Sequence, residues 1–233
     1  MLDQSFSAEN FRIILDLENR KGIHVEDKLS LFSIKKLNEE IRDCNLEIKL
    51  SRKLGSLQRV KDLIQKKKEI RAKKEDQLKI ELEKISQKIS EKLFRIEIKK
   101  VEIPNQKPIY TTLNTPENYF ALKQIQYNVS KLFGVKQSNR FAIVEQVKIL
   151  LEDKLPKFVI RTDIKDFYES IQHEKLLARI NRDNLLTPFS RKILQGILLK
   201  YRDLSGTDKG IPRGIGVSAH LAELFMRDID KKN

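Results

Sequence analysis

Cysteine is almost missing: Cys44 is the single one in 233 residues. The chain therefore builds no internal disulfide framework and no Cys-based zinc site, which fits a reducing compartment. Tryptophan is absent and aromatics amount to 7%. Histidine is scarce, with three in the whole chain. His24, beside Gly22, reads as a surface residue with no metal-binding neighbour; His173 reads as a helix start and His220 as a core residue. No apolar run approaches the roughly twenty residues of a membrane helix. The opening Met-Leu-Asp-Gln-Ser lacks the basic-then-apolar order of a signal peptide. Together these absences predict a cytoplasmic protein without membrane attachment. Acid is outnumbered by base, 33 Asp and Glu against 47 Lys and Arg, for a formal charge of +14 and an isoelectric point near 9.7. That balance favours a polyanionic partner, nucleic acid ahead of acidic membrane. The alternative is a basic surface with no ligand. An Asp-Asp pair occurs nowhere in the chain.

Hydrophobic residues make up 39%, enough for a core. Residues 1–56 read as helical pieces. Ser7 serves as a plausible cap for the cluster from Phe11 to Leu17, Gly22 ends that helix, and Leu29, Leu31, Phe32, Ile34 and Leu37 suggest another. Residues 57–98 form a basic amphipathic arm. Leu78, Leu82, Ile85, Ile89, Leu93 and Ile96 recur at spacings of four, three, four, four and three. This is one stripe of a long helix, suited to an α-hairpin or a coiled coil. From Arg59 to Lys100 there are fifteen Lys/Arg against eight Asp/Glu. Lys66, Lys67, Lys68, Lys73 and Lys74 read either as a solvated helix face or as an arm that tracks phosphates.

Residues 99–156 follow. The period shifts to two from Ile96 to Ile103, predicting a strand before the breaks at Pro104 and Pro108. Pro116 suits the first turn of a helix running to Gln126. Lys131 to Arg140 reads as a basic loop turning at Gly134. An amphipathic helix capped by Ser138 or Asn139 reads from Phe141 to Leu151. In the last segment, 157–233, Phe158 to Thr162 is apolar and β-branched and predicts a short buried strand ending on Asp163. A helix is expected from about Lys165, with Asp166 at its N-terminus as an acid favoured by the helix dipole. Asp163 itself reads either as a helix cap or as an oxygen ligand for a divalent ion. Two helices are expected, His173 to about Asn181 and Pro188 to Arg202. Before the final helix, Gly210 to Ser218 holds three glycines and one proline, a tight loop in which backbone approaches a ligand.

Two stretches together carry a resemblance. Thr162-Asp163-Ile164-Lys165-Asp166-Phe167-Tyr168-Glu169-Ser170-Ile171, followed in order by Gly210-Ile211-Pro212-Arg213-Gly214-Ile215-Gly216-Val217-Ser218-Ala219-His220-Leu221, resembles motifs A and B of reverse transcriptases. The form Ile-Pro-Arg-Gly-Ile-Gly-Val-Ser is most similar to bacterial enzymes of the antiphage-defence and abortive-infection groups. Retrons and group II introns usually have Gln where this chain has Arg213. The similarity runs from about Tyr110 to the C-terminus. It implies an α+β chain: a mainly helical N-terminal region, then partial fingers and palm of a right-hand polymerase fold. The palm sheet would be incomplete and the thumb absent.

The resemblance also implies roles. Asp163 would be the catalytic carboxylate and a metal ligand, aided by the Ile164 carbonyl, for Mg²⁺ or Mn²⁺ in the complete protein. Tyr168 would sit under the sugar and exclude ribonucleotides. Arg213 and Gly214 would lie against the nucleotide, Gly216 and Ser218 would keep the loop narrow, and Lys136 and Arg140 would meet the triphosphate. The implied partners are an RNA template, a DNA product and dNTPs, in antiviral defence. The third reverse-transcriptase motif, Aro-x-Asp-Asp, is not found, which implies an incomplete form: a truncated gene, a fragment of a longer sequence, or one half of a split protein whose C-terminal half is a further partner. The competing expectation is a catalytically inactive basic helical module that binds RNA or a partner protein.

Overall fold

The computed structural model describes residues 3–29, 32–136, 139–152, 155–158, 160 and 162–230. The side chains of Lys28, Phe32, Ser33, Arg140, Asp228, Ile229 and Asp230 lie outside that description, as do Leu31 and Ser138 entirely. The chain divides into two compact units, one comprising 1–94 and 114–124, the other 95–113 and 125–233.

In the first unit α1 (Ala8–Arg20) begins at Ser7, whose side chain accepts from the Asn10 N–H, and ends where Gly22 turns the chain at a φ of 82°. A short α2 (Val25–Lys28) leads to α3 (Phe32–Lys53) and, past Gly55, to α4 (Leu57–Ser90). The 34 residues of α4 contain no Gly or Pro and are rich in the strong helix formers Lys, Glu, Gln and Leu. Its buried apolar positions, Val60, Leu63, Ile70, Leu78, Leu82, Ile85 and Ile89, are three or four apart only at the start and from Leu78 onward. Val60 and Leu63 pack with Ile48 of α3, while Leu78, Leu82, Ile85 and Ile89 are buried further along. Beside that second group, α1 ties to α4 through Arg12 and Glu75 (3.1 Å). The Ser86 hydroxyl also donates to the Phe6 carbonyl (2.7 Å). The helix stops at Ser90, so two members of the expected stripe fall beyond it: Leu93 is 84% exposed and Ile96 is buried outside the helix.

This unit also buries charge. Glu18 is ion-paired with Lys123 (2.7 Å) and Lys21 (2.8 Å). It accepts from the Tyr119 hydroxyl (3.3 Å). Lys123 and Tyr119 belong to the first half of α5 (Pro116–Phe133), which runs a further two turns beyond Gln126. Its continuation replaces the start of the expected basic loop, and Gly134, at a φ of 63°, is the first residue after it.

The second unit holds the sheet found among the described residues: β1 (Ile98–Val101) and β2 (Ile109–Thr112), antiparallel, with Ile98 opposite Thr112 and Val101 opposite Ile109. Pro104 and Asn105 turn the chain between them, and Asn105 takes a left-handed φ of 59°, which Asn tolerates. Around the hairpin lie the second half of α5, then α6 (Arg140–Glu152), α7 (Phe167–Ser170), α8 (His173–Arg182), α9 (Pro188–Ser205) and α10 (Gly216–Asp230). The architecture is thus mostly helical with a small antiparallel sheet. Helix α9 shows local sequence logic at both ends. Thr187 accepts from the Ser190 N–H, Pro188 fills the first turn, and Gly206 closes the helix at a left-handed φ of 74°. Its apolar face, Ile193, Leu194, Ile197, Leu198 and Tyr201, is buried.

Three expectations fail here. The strand expected over 157–163 is not seen among its described residues, which pair with no other strand; Val159 and Arg161 lie outside the described set. Phe158 and Ile160 are fully exposed. A β-prone run makes a strand only when a neighbouring ladder takes its N–H and C=O groups. The helix after it is the single turn α7. Asp166 precedes it in a left-handed conformation (φ 56°) without capping it. Finally, α6 has no buried face: every described side chain from Phe141 to Glu152 is exposed, although Asn139 does cap it by accepting from the Phe141 and Ala142 N–H groups.

Candidate functional site

The tight loop of Gly210 to Ser218 is built into the second unit by backbone. The Gly210 N–H donates to the Ile171 carbonyl (2.7 Å) and the Ile211 N–H to the Tyr168 carbonyl (2.9 Å), so the loop is stitched to both ends of α7. On its other side the Tyr110 N–H of β2 donates to the Arg213 carbonyl (2.7 Å). Within the loop the Ser218 hydroxyl donates to the Pro212 carbonyl (2.7 Å), closing the turn before α10.

Two glycines are needed for this approach. Gly210 (φ 93°) would place a Cβ 2.7 Å from the Tyr201 hydroxyl and 3.1 Å from Glu169 Cα. Gly214 (φ 101°) would place one 2.7 Å from the Tyr110 carbonyl oxygen. Both the positive φ and the crowding exclude a side chain. Tyr201 stacks edge-on against Tyr110 at 4.8 Å. Burial, reinforced by Tyr110, pushes its phenol up to about 12. His173 starts α8 and donates from Nε2 to the Gly210 carbonyl, which fixes its tautomer.

The charged groups of the site lie on the same seam. Arg213 donates to Glu169 Oε1 (2.8 Å), and its guanidinium sits 5.9 Å from the centre of the Tyr168 ring. Lys107, from the β1–β2 connection, pairs with Asp166 and lies 3.5 Å from Glu169. Lys107 holds the Asp166 carboxyl below the usual carboxylate range. Burial raises the Tyr168 phenol, and the Glu223 carboxylate adds to that. The Arg213–Glu169 pair is made through one hydrogen bond: Arg213 Nε and Glu169 Oε2 are buried with no partner among the described residues. A buried donor and acceptor left open in this way carry a desolvation cost that a bound polar group would relieve.

Of the residues expected at the site, Tyr168, Arg213 and Gly214 are brought together. Gly216 faces the Gln126 amide, and Ser218 is buried in the turn. Asp163 and Ile164 are exposed, on the coil before α7. Lys136 is exposed, and the Arg140 side chain lies outside the described set. His220 is half-exposed and not in the core. Lys66, Lys67, Lys68, Lys73 and Lys74 lie on α4, in the other unit. There Lys74 pairs with the buried Glu26 (3.4 Å) and Lys67 donates to Asn45 Oδ1 (2.5 Å).

Sequence reasoning missed Lys107 and gave Glu169 no role. Glu169 was legible as the residue beside Tyr168; Lys107 carried no local signal, because it reaches the seam only once the β1–β2 hairpin has formed. The arrangement does not fit the Mg²⁺ or Mn²⁺ that the resemblance implies. Among the described residues no three His, Cys, Asp or Glu side chains gather as a metal site. The nearest acids, Asp166 and Glu169, are engaged by Lys107 and Arg213. No chemical step is therefore routed through a metal here. Among the described residues no helix is long and apolar enough to cross a membrane. No family model, curated protein or solved structure matches the chain.

Proposed function

We propose that this chain is part of an RNA-directed DNA polymerase of the bacterial antiphage-defence type. It acts in the cytoplasm on an RNA template, a DNA product and dNTPs. The observation that supports this reading most is the convergence of the two resembling stretches. Far apart in sequence, they meet through the Ile211–Tyr168 and Gly210–Ile171 hydrogen bonds and the Arg213–Glu169 pair. In this reading Tyr168, flanked by Arg213, is the wall that turns away a 2′-hydroxyl. The loop at Gly214 is the surface against which a nucleotide lies. In this reading Mg²⁺ would need further carboxylates beside Asp163, since the acids of this seam, Asp166 and Glu169, are engaged by Lys107 and Arg213. Two divalent ions about 4 Å apart need several carboxylates to offset their repulsion.

The test is primer extension on a primed RNA template with labelled dNTPs. The chain alone is expected to synthesise nothing. Joined to a segment that supplies Aro-x-Asp-Asp, it should extend the primer. In that joined protein Asp163→Asn abolishes extension, and Tyr168→Ala admits ribonucleotides. Extension by the joined protein carrying Asp163→Asn would overturn the assignment of Asp163.

A second reading, a catalytically inactive basic helical module that binds RNA or a partner protein, draws on Asp163 standing alone on an exposed coil. It predicts nucleic-acid binding with no synthesis under any complementation.

A further inference from the structure

Helices α3 and α4 enclose a cleft of about 420 Å³ lined by Asn45, Ile48, Lys49, Arg52, Ile64, Lys67, Lys68 and Arg71. The lining follows a rule. On α3 the positions are 45, 48, 49 and 52, and on α4 they are 64, 67, 68 and 71. Both sets have the offsets of a single helix face. Five of the eight side chains are cationic and none is acidic. Among the described residues Lys49, Arg52, Lys68 and Arg71 have no carboxylate partner, and Lys67 donates to the neutral Asn45.

The acids of this stretch of α4 are held on another face. Asp62 accepts from Gln58 (3.0 Å) and Glu69 from Gln65 (3.1 Å). Concentrated like charge without compensation raises the local potential and draws a polyanion. Because residue 45 faces residue 67 and the helices run antiparallel, Arg52 lies level with Val60. The five cations thus spread over roughly 16 Å of helix axis at 1.5 Å per residue.

We propose that this cleft is a binding site for the phosphate backbone of single-stranded nucleic acid. Three features select that occupant. The cations line a concave groove along the α3–α4 pair, which one flexible strand can follow and a flat bilayer surface cannot. The lining has no aromatic side chain on which a base could stack, and its one amide, Asn45, is engaged by Lys67. Binding is therefore sequence-independent and equal for RNA and DNA. Exposed Leu46, Leu50 and Leu54 beside the cleft make an acidic membrane the competitor to test. The site stands apart from the polymerase reading: primer extension that fails leaves it in place, and its own failure leaves the loop at Gly214 untouched.

The experiment is fluorescence anisotropy with a labelled twenty-nucleotide oligouridylate and its oligothymidylate counterpart, at 50 and 200 mM KCl. With all five cations on phosphates, counterion release at about −0.7 per contact weakens binding about a hundredfold over that fourfold rise in salt. Arg52→Ala/Lys68→Ala/Arg71→Ala keeps two contacts, and its affinity should fall only about sevenfold over the same range. Arg59→Ala/Lys79→Ala/Arg95→Ala removes equal charge elsewhere and should behave as the parent chain. If the first variant melts lower than the parent, Lys49→Gln/Arg71→Gln replaces it in the same assay. Equal salt dependence in the cleft variant and the parent overturns the proposal. So does loss of binding to phosphatidylserine vesicles with oligonucleotide binding retained.

Discussion

At the scale of single residues, Gly214 carries the clearest consequence. Its φ of 101° and the 2.7 Å that would separate a Cβ from the Tyr110 carbonyl act together. The obstacle is backbone of β2, which cannot rotate away as a side chain would. Gly55 is a natural comparison, since it has a φ of 70° and nothing within 4 Å of its Cβ direction. Gly55→Ala should cost about 1 kcal/mol through conformation alone. Gly214→Ala should cost about 2 kcal/mol or more and loosen the loop from β2. Urea unfolding followed by circular dichroism measures both; equal midpoints would mean that the loop does not press on Tyr110. Arg213 illustrates a different lesson. Its sequence position pointed to a nucleotide, and its geometry adds a partner, Glu169, that no local pattern announced.

Among the elements, α1 and the first half of α5 are joined by charge as well as by apolar packing. Phe11 and Phe120 meet at 5.1 Å, and close by Glu18, only 1% exposed, sits between Lys123 and Lys21. Burial alone would raise the Glu18 carboxyl; the two ammonium groups outweigh it and hold the group below its ordinary 4.5. Glu26 is lowered too, where burial is outweighed by a backbone hydrogen bond, Asn19 and Lys74. A carboxyl depressed by folding contributes stability that is complete above its unfolded value. That stability is lost as pH falls through the folded one. Thermal melts should therefore be flat from pH 7 to about 5 and fall below about 4.5. Glu18→Gln should cost roughly 1–2 kcal/mol at pH 7, because it removes a buried carboxylate from two cations that themselves keep contact with water, and should shrink the acid decline. An acid limb unchanged by that substitution would place its origin elsewhere.

The elements also show what could be read in advance. Caps and breakers were legible because their chemistry is local: Ser7, Gly22, Pro116, Asn139 and Pro188 all mark helix boundaries, as their side chains require. The end of α5 was misread: nothing between Gln126 and Gly134 breaks a helix, so it runs on to Phe133, and Gly134 with its left-handed φ follows it. The stretch from Phe158 to Asp163 was misread for a physical reason: its residues favour strand, but strand is a property of pairs, and the described residues offer it no partner. At the candidate site the glycines were legible, and the meeting of Lys107, Glu169 and Arg213 was not.

For the whole molecule, the surplus of base over acid is unevenly used. Part of it is neutralised in ion pairs such as Lys74–Glu26 and Lys88–Glu117 (2.8 Å). Part of it stands open in the α3–α4 cleft. The exposed coil ahead of α7 has a consequence of a different kind. Phe158 is 103% exposed and Ile160 is 86% exposed, and with Val159 they make an apolar, largely β-branched run in the sequence. Such a run is a seed for cross-β stacking between molecules. Lys157 and Arg161 bracket it in the sequence, and like charges brought into register in a fibril repel. They would act as gatekeepers whose effect weakens as salt screens them. Concentrated solutions should stay clear at low salt and form thioflavin-positive fibrils on prolonged incubation at high salt. Lys157→Ser/Arg161→Ser should shorten the lag severalfold and Phe158→Asp should abolish the fibrils. A lag indifferent to all three residues would move the seed to another segment. The charge that draws a polyanion to one face of this protein would then also set how long it survives in a tube.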